Sequence, residues 1–309
     1  MRVLLIVNAT ASSVTARRRV VIQKALGSDH VLTVSETTRR GHATRLARAA
    51  AHDGMDAVVV LAGDGTLNEA ADGLAGSQTA LAPLPGGSTN VFARSIGVAL
   101  DPIDATSELL DSLDRHSFRR IGLGSVEGRR FVFHCGIGFD AAVIHEVERR
   151  GTTLKRYLAH PLFVLATIDT LLRRYERPPF RVELPDGEVV GPSTFAIVSN
   201  QRPWSYLGNR PLHVNADVGL DSRLSLTLLR SIAPFLLLRL AASAVRKGRA
   251  FDRHRNVVQR NDLDHFTVVG ERAVPYQVDG DYLGEAERLH IAYEPDALTL
   301  VVPATNGEA

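Results

Sequence analysis

The chain has little cysteine, little excess charge and no long apolar run, and each shortage excludes a class of protein. Cys135 is the single cysteine, so an internal disulfide framework is excluded and a reducing compartment is favoured. Lys and Arg number 36 against 34 Asp and Glu, and the net charge of +2 gives no field that points to nucleic acid. The longest apolar run, residues 232–245, is interrupted by Arg239 and is too short to span a bilayer.

The apolar stretch at residues 3–7 is likewise too short for a signal peptide, and no small-residue cleavage site clearly follows it. We therefore expect a cytoplasmic protein, with peripheral contact at a membrane surface and a homodimer both left open. The chain has room for one large or two ordinary domains, and no internal repeat divides it.

Residues 1–122 alternate short apolar strands with helical stretches. This rhythm predicts a parallel sheet covered by helices on both faces, with ligands at the carboxyl ends of its strands. The predicted strands are 3–7, 31–34, 57–61 and 80–84, and the predicted helices are 16–26, 41–52, 67–74, 90–96 and 103–113.

Residues 123–295 read differently, as short strands broken by turns, and predict a β-rich second domain. Pro185-Asp186-Gly187 is a hairpin signal, and a last strand near 296–303 can return to the first domain. The predicted strands are 130–135, 180–184, 195–199, 224–229, 266–269, 276–278 and 289–293, and the predicted helices are 154–175 and 234–246.

Two glycine turns in the first domain predict a phosphate site. In the first, a β-branched strand runs into Gly63-Asp64-Gly65 and then a helix, whose N-terminal N–H groups favour phosphate. Asp64 would repel phosphates unless a divalent cation lies between them or it steers a hydroxyl or a cationic group. About twenty residues later Gly86-Gly87 repeats the strand–turn–helix pattern, with Ser88, Thr89 or Asn90 available as helix cap. The two loops can face each other across one ligand.

These motifs, in this order, resemble the diacylglycerol kinase catalytic-domain family, the bacterial soluble lipid kinases related to sphingosine and ceramide kinases. The resemblance covers nearly the whole chain. It rests on Asn8, Thr37 with residues 40–43, residues 63–69, residues 84–94, Gly136-Ile137-Gly138-Phe139-Asp140, residues 216–224 and Asp279-Gly280-Asp281.

The resemblance implies an α/β nucleotide-binding domain like that of NAD kinases and phosphofructokinases, followed by a β-sandwich-like domain. It implies ATP and Mg²⁺ as cofactors and a lipid alcohol as acceptor. The implied ATP-binding residues are Asn8, Thr37, Ala62, Gly63, Asp64, Gly65, Thr66, Leu67, Asn68, Glu69, Gly87 and Ser88.

Three carboxylates are implied at the reaction centre. Asp281 takes the place of the family's catalytic carboxylate, Asp279 supports it, and Asp64 organises the phosphates and the catalytic magnesium. A second, structural magnesium is implied at Asp221, with the backbone carbonyls of Val218 and Arg223.

The chain departs from the family pattern at five positions. Ala62 replaces the first glycine of the first loop, and Ser88 stands where threonine is usual. Val91 replaces an aspartate that commonly follows Asn90, and Ser222 replaces the glycine after Asp221. Asp281 replaces glutamate and is one methylene shorter, which reduces its reach by about 1.5 Å.

Plainer interpretations stay open for several residues. Asp64 can cap the helix that follows it, Asp279-Gly280 can be an ordinary hairpin turn, and Asp221 can be a solvated loop acid. Basic clusters at 149–150, 155–156, 173–177, 246–249 and 253–255 can be solvated helix ends or can dock on anionic lipid. The apolar stripe at 235–240 is more typical of core.

The leading functional prediction is an ATP-dependent kinase of diacylglycerol or a similar membrane lipid. One alternative is a kinase of a soluble acceptor such as NAD, and another is a nucleotide-binding regulatory protein without turnover. The second loop and the position of Asp279-Gly280-Asp281 near the C-terminus favour the lipid kinase, whereas Val91 and the altered segment at Asp221 motivate the regulatory protein.

Overall fold

The structure is a computed structural model that describes residues 1–149, 178–215, 217–230, 239, 243 and 254–304. The chain divides into two compact units, of which the first comprises Met1–Leu123 and Pro295–Ala309 and the second Gly124–Glu294. The predicted helices at 154–175 and 234–246, the stripe at 235–240 and most of the basic clusters lie outside the described residues, as does Ala216.

The first unit alternates strands and helices from its first residues. Its elements are β1 (Arg2–Val7), α1 (Ala16–Asp29), β2 (Val31–Glu36), α2 (His42–His52), β3 (Ala57–Ala62), α3 (Asp64–Leu74), β4 (Ala80–Pro85), α4 (Val91–Ser95) and α5 (Pro102–Asp114). Strand β5 (Phe118–Val126) runs from the first unit into the second. The nine strands and helices from β1 to α5 correspond to those predicted.

Its sheet is parallel, with strand order β4-β3-β1-β2. The last residues of β16 (Asp281–Val301) add a parallel strand beside β4, where Leu300 pairs with Leu81. Strand β3 is buried along its whole length, as its β-branched run predicts for a strand covered on both faces. One face packs on α1 and α5, whose Ile22 and Leu109 join the core.

On the other side of the first unit, α2 and α3 pack together. Alanines at positions 43, 47 and 50 form the buried stripe of α2. A methyl group on Gly73 of α3 would lie 2.4 Å from the carbonyl oxygen of Thr44. Small residues therefore let these two helices approach closely.

The second unit is rich in antiparallel strands and contains one described helix. Its elements are β6 (Arg129–Phe131), β7 (His134–Gly138), α6 (Phe139–Arg149), β8 (Phe180–Glu183), β9 (Val189–Ser193), β10 (Phe195–Ser199), β11 (Ser205–Leu207), β12 (Arg210–Leu212), β13 (Leu224–Leu229), β14 (Val257–Leu263), β15 (His265–Val278) and most of β16.

Strand β15 organises this second unit. One of its edges pairs with β8 near Val268 and with β7 near Gln277, and its other edge pairs with β16. A register shift between Val269 and Val274 lets one strand serve both partners. From β7 the sheet continues through β10 and β13 to β14. Cys135 lies in the core that these strands enclose, as expected for a packed thiol.

The predicted fold class, a parallel α/β unit followed by a β-rich one, is confirmed. Among the described residues, no helix is long and apolar enough to cross a membrane. The hairpin predicted at Pro185-Asp186-Gly187 joins β8 to β9.

Several boundaries in the second unit were predicted wrongly. One strand expected at 130–135 is two, because the chain bends after Phe131 and its next strand pairs with β10. Conversely, the separate strands expected at 266–269 and 276–278 are the single β15, which continues across its irregularity. The strands expected at 289–293 and 296–303 are likewise one strand, β16.

Candidate active site

The two glycine turns of the first unit touch each other. A methyl group added to Gly87 would lie 2.7 Å from the Cα of Gly63, and one added to Gly86 would lie 2.8 Å from the backbone nitrogen of Ala62. The backbones of the two loops can approach this closely because Gly63, Gly86 and Gly87 have no side chains. The two loops are therefore neighbours, and the ligand expected to lie between them stays a prediction.

Asp64 joins the two turns through hydrogen bonds. It lies in the first turn of α3, and its two carboxylate oxygens accept the backbone N–H groups of Val91 (2.9 Å) and Phe92 (3.1 Å) at the start of α4. Burial raises the pKa of Asp64, while these N–H groups oppose that shift. The alternative that Asp64 caps the helix following it is therefore wrong about which helix is capped, since these N–H groups belong to α4 and not to α3.

Helix α3 begins at Asp64, three residues before the predicted start at Leu67. Gly63 precedes it in an extended conformation, with φ −88° and ψ 177°. The first backbone N–H groups of a helix have no acceptor within it, so this end of α3 suits an anionic ligand. A carboxylate in the first turn is also favourable for the helix dipole.

Asn90 closes the second turn. Its side-chain oxygen accepts the N–H of Gly87 (2.8 Å), and its side-chain nitrogen donates to the carbonyl oxygen of Gly87 (2.9 Å). Asn90 occupies the cap position of α4 in a left-handed conformation, with φ 49°. Ser88, beside it, is exposed.

Asn8, Thr37 and Thr66 lie near the carboxyl ends of β1, β2 and β3. The side-chain nitrogen of Asn8 donates to the hydroxyl of Thr66 (3.2 Å), and the backbone nitrogen of Thr37 donates to the carbonyl oxygen of Val7 (2.9 Å). The ends of neighbouring parallel strands therefore bring these predicted ATP-binding residues to one edge of the sheet, as the topological rule for such folds requires.

Other predicted ATP-binding residues have buried side chains. Leu67 and Asn68 are buried in α3, and the carboxylate of Glu69 accepts the backbone N–H groups of Gly41 (2.7 Å) and Ala43 (3.1 Å). Glu69 therefore holds the start of α2 against α3. This gives it a part in shaping the loop that carries Thr37, and the predicted contact with ATP stays a prediction.

In the second unit, Asp279 and Gly280 form the two-residue turn between β15 and β16. Both have positive φ, 50° and 86°, and the flanking Val278 and Asp281 pair across the hairpin. This is the backbone that Asp-Gly favours in such turns. The hairpin alternative is confirmed, and it leaves Asp281 at the first position of β16, half-buried.

The carboxylate of Asp279 is buried and holds the turn in place. It accepts the backbone N–H groups of Val132 (2.8 Å), Phe133 (3.1 Å) and His134 (2.8 Å). Burial raises its pKa to about 7, although these N–H groups favour the charged form. Asp279 thus holds the turn that carries Asp281, and its predicted support of catalysis stays a prediction.

Asp221 lies exposed in a tight turn before β13. The turn is closed by the hydroxyl of Ser222, which bonds to both the N–H and the carbonyl of Gly219 at 2.8 and 2.9 Å. The guanidinium of Arg223 pairs with Asp264 at 2.9 Å, and Val218 is buried. Within the described ranges, no group of three His, Cys, Asp or Glu side chains could hold a metal ion. A cation here would need backbone carbonyls besides Asp221.

Comparison with known proteins identifies the family that the chain resembles. A sequence model described as the diacylglycerol kinase catalytic domain matches residues 2–126. The diacylglycerol kinase of Bacillus subtilis is 26% identical over 266 residues, which cover 85% of this chain and 84% of that protein. Over residues 2–126 the chain therefore resembles the diacylglycerol kinase catalytic-domain family. Its kinase relatives include a "Probable lipid kinase YegS-like" of Chromohalobacter salexigens, 27% identical over 91% of this chain and 88% of that one.

A solved structure supports the fold. The crystal structure of a diacylglycerol kinase from Bacillus anthracis str. Sterne superposes with a TM-score of 0.68 at 19% identity, over 97% of this chain and 96% of that one. Resemblance to a kinase family implies use of ATP. Val91, one of the departures from the family pattern, has a buried side chain, and its backbone N–H donates a hydrogen bond to Asp64.

Two buried residues escaped the sequence reasoning. Gln277, fully buried in β15, donates its side-chain N–H to Asp140 (2.8 Å) and accepts the backbone N–H of Gly280 (2.8 Å). The sequence pointed to Asp140 only as the last residue of the motif at 136–140, and it lies in the first turn of α6. A polar residue two positions before the acidic turn, at the end of the largely apolar stretch 273–278, was the available signal for Gln277.

Proposed function

We propose that the protein is an ATP-dependent lipid kinase that transfers the γ-phosphoryl group to the hydroxyl of diacylglycerol or a similar membrane lipid. The observation that carries the proposal is the direct contact of Gly63 with Gly87, fastened by Asp64, at the start of α3. Two glycine turns and a helix N-terminus at one place suit a polyphosphate. The resemblance to a kinase family supplies the class of reaction.

ATP would be held by the turns at Ala62–Thr66 and Gly87–Ser88, with Asn8 and Thr37 beside them. Each Asp64 oxygen accepts one N–H group and keeps a further lone pair. The residues fit magnesium, because this ion commonly takes only one or two carboxylates together with substrate phosphates. When bound, Mg²⁺ neutralises charge on the phosphates. Asp221, with the carbonyls of Val218 and Arg223, is proposed as a second, structural magnesium site.

Asp281 is proposed as the group that accepts the substrate proton. Its carboxylate would hydrogen-bond the lipid hydroxyl and take its proton as the hydroxyl oxygen bonds to the γ-phosphorus and the bond to the β-phosphate oxygen breaks. Phosphoryl transfer depends mainly on such alignment and on charge stabilisation. Asp279 holds the turn in place by accepting hydrogen bonds from three backbone N–H groups.

Labelled ATP, Mg²⁺ and extracted total lipid, incubated with the protein, test the proposal. We expect one lipid class to gain the label, and its identity gives the acceptor. Label on NAD or another soluble compound would instead favour the soluble-acceptor kinase. ATP binding without transfer to any acceptor would favour a regulatory protein.

Replacing Asp281 tests its role. Asp281→Asn should retain ATP binding and lower kcat by about 100-fold or more, as loss of a positioned proton acceptor does. Asp186→Asn, in the β8–β9 turn, is the matched control, because asparagine can still accept the N–H of Glu188 as Asp186 does. Unchanged transfer by Asp281→Asn would remove Asp281 from this role.

The acceptor lies in a membrane, so the proposal includes peripheral contact of a cytoplasmic protein with lipid. Sedimentation with vesicles of neutral and of anionic lipid at low and high salt measures this contact. If basic side chains make this contact with lipid, we expect binding to anionic vesicles that weakens as the salt concentration rises. Absence of binding at every salt concentration would contradict this part of the proposal.

A further inference from the structure

The interior of the second unit contains a hydrogen-bonded pair that the proposed reaction does not itself use. Asp140, 5% exposed in the first turn of α6, accepts a hydrogen bond from the side-chain nitrogen of Gln277, which is 0% exposed in β15. Burying a carboxylate is costly, and burial raises the pKa of Asp140 to about 6. A group kept at such a cost invites a functional explanation.

The hydrogen bonds of Gln277 define which way its side-chain amide faces. The Gly280 N–H donates to the side-chain oxygen of Gln277 at 2.8 Å, so the amide nitrogen of Gln277 is the group that faces Asp140. Asp140 thereby fixes the orientation of the Gln277 amide. That amide in turn fixes the N–H of Gly280, the residue immediately before Asp281.

The backbone opposite leaves room for this pair. A methyl group on Gly136 of β7 would lie 1.8 Å from a carboxylate oxygen of Asp140 and 2.5 Å from the amide nitrogen of Gln277. Gly136 is paired with Gln277 across the sheet, so its missing side chain is the space that the pair occupies. Gly136 and Asp140, four positions apart, are thus matched to the distant Gln277 in one arrangement.

Helix α6 contacts the far side of the same turn as well. The backbone nitrogen of Tyr282 donates to Glu148 at 3.4 Å, and the ring of His145 lies 4.3 Å from that of Tyr282. Asp281 therefore lies between two backbone groups, Gly280 and Tyr282, that are each tied to α6. The helix holds the turn at both ends.

We propose that Asp140 and Gln277 are positioning residues for the reaction, which hold the turn of Asp281 in its working geometry through the N–H of Gly280. This inference rests on the proposed function, because it assumes that Asp281 meets the substrate hydroxyl. Neither residue needs to touch substrate. Misplacing a reacting group by about 1 Å can cost on the order of 100-fold in rate.

Replacing the amide of Gln277 tests the series of hydrogen bonds from Asp140 through Gln277 to the N–H of Gly280, which we call the relay. Gln277→Glu can still accept the Gly280 N–H, but it puts a second carboxylate against Asp140. We expect kcat at pH 8 to fall by about tenfold or more, with an unchanged KM for ATP. Activity should recover in part toward pH 6, where two adjacent carboxyls share a proton. Besides burial, the charges of Asp140 and Asp279 raise the pKa of the Cys135 thiol, so Cys135 and Asp279 are titratable neighbours of the pair, and neither is altered.

The double variant Asp140→Asn/Gln277→Glu restores a donor facing an acceptor. We expect it to recover kcat at pH 8 to within about threefold of the wild type, because the amide introduced at position 140 would donate to the carboxylate introduced at position 277. The single variant Asp140→Asn keeps an oxygen that can accept from Gln277, and the double variant is compared with it as well as with Gln277→Glu. Gln78→Glu, an exposed position, is the matched control for the added charge.

Three results would overturn the relay: an unchanged kcat in Gln277→Glu at pH 8, a double variant no more active than that single variant, or a loss confined to the KM for ATP. Failure of the proposed function is separate, because it shows as intact transfer in Asp281→Asn. An inactive Asp281→Asn beside a fully active Gln277→Glu would reject the relay alone.

Discussion

At the scale of single residues, the buried carboxylates of this protein bond mainly to backbone N–H groups. Asp64 and Glu69 each accept two such groups, and Asp279 accepts three. Such bonds are stronger than neutral ones and hold loops at defined positions. Asp140 differs, since the hydrogen bond described for its carboxylate comes from a side-chain amide.

Asp64→Asn tests the two hydrogen bonds by which Asp64 joins the loops, which we call the clamp. One carboxylate oxygen becomes an NH₂ group that faces the N–H of Val91 or of Phe92, so a buried donor loses its acceptor. We expect the free energy of unfolding to fall by about 1–3 kcal/mol, and ATP binding to weaken. Urea unfolding and nucleotide titration measure the two effects, and the exposed Asp111→Asn is the control. Equal stability of the two variants would argue against the clamp.

Asp140 predicts a specific pH dependence of stability. Its pKa is about 6 in the folded protein against an ordinary 3.8, so the folded state holds the proton more tightly. Stability from this group is therefore full below about pH 4 and falls as the pH rises through 6, by at most about 3 kcal/mol. The variant Asp140→Asn has no carboxyl group that can ionise at this position. It should gain stability relative to wild type between pH 4 and 7 in urea unfolding, and a constant difference would refute the prediction.

At the scale of elements, the sequence predicted the helices and strands of the first unit well and those of the second less well. Periodic apolar patterns and glycine turns are local signals, so the elements from β1 to α5 were found. The long strands β15 and β16 were broken up in the prediction because bulges and polar positions interrupt their pattern. Their continuity depends on partners far away in the chain, which local patterns do not show.

The contact between α2 and α3 predicts opposite effects for two helical glycines. Gly73→Ala puts a methyl group 2.4 Å from the carbonyl oxygen of Thr44, whereas a methyl group on Gly27 of α1 would meet its nearest neighbour at 3.9 Å. We expect Gly73→Ala to destabilise by about 1–3 kcal/mol, and Gly27→Ala to stabilise by about 0.5 kcal/mol. Thermal and urea unfolding compare them. A stabilising Gly73→Ala would show that the helices can separate without cost.

At the scale of the whole molecule, the chain returns to its first unit at the end. Residues 298, 300 and 301 are buried there, Leu300 pairs with Leu81, and the N–H of Gly76 donates to Ala297. The last part of β16 thus completes a unit whose other strands lie within the first 123 residues. Folding of the first unit consequently depends on a segment that follows the whole second unit along the chain.

Leu300→Ala should reveal this dependence. It removes a fully buried side chain, and we expect a loss of about 2–5 kcal/mol in unfolding free energy. Stabilisation by ATP should be lost at temperatures where the first unit has unfolded. Leu207→Ala, 51% exposed, is the control and should change stability by less than about 0.5 kcal/mol. Comparable effects of the two substitutions would contradict the burial of β16.

By itself, the sequence determined the alternating first unit, the two glycine turns, the Asp-Gly hairpin and the family resemblance, because each is encoded in residues close together along the chain. Only the tertiary structure decided which groups the acids bind. Asp64 meets Val91 across 27 positions, Asp140 meets Gln277 across 137, and Asp279 meets Val132 across 147. Buried polar groups must find partners wherever the fold provides them, and that choice leaves no local pattern.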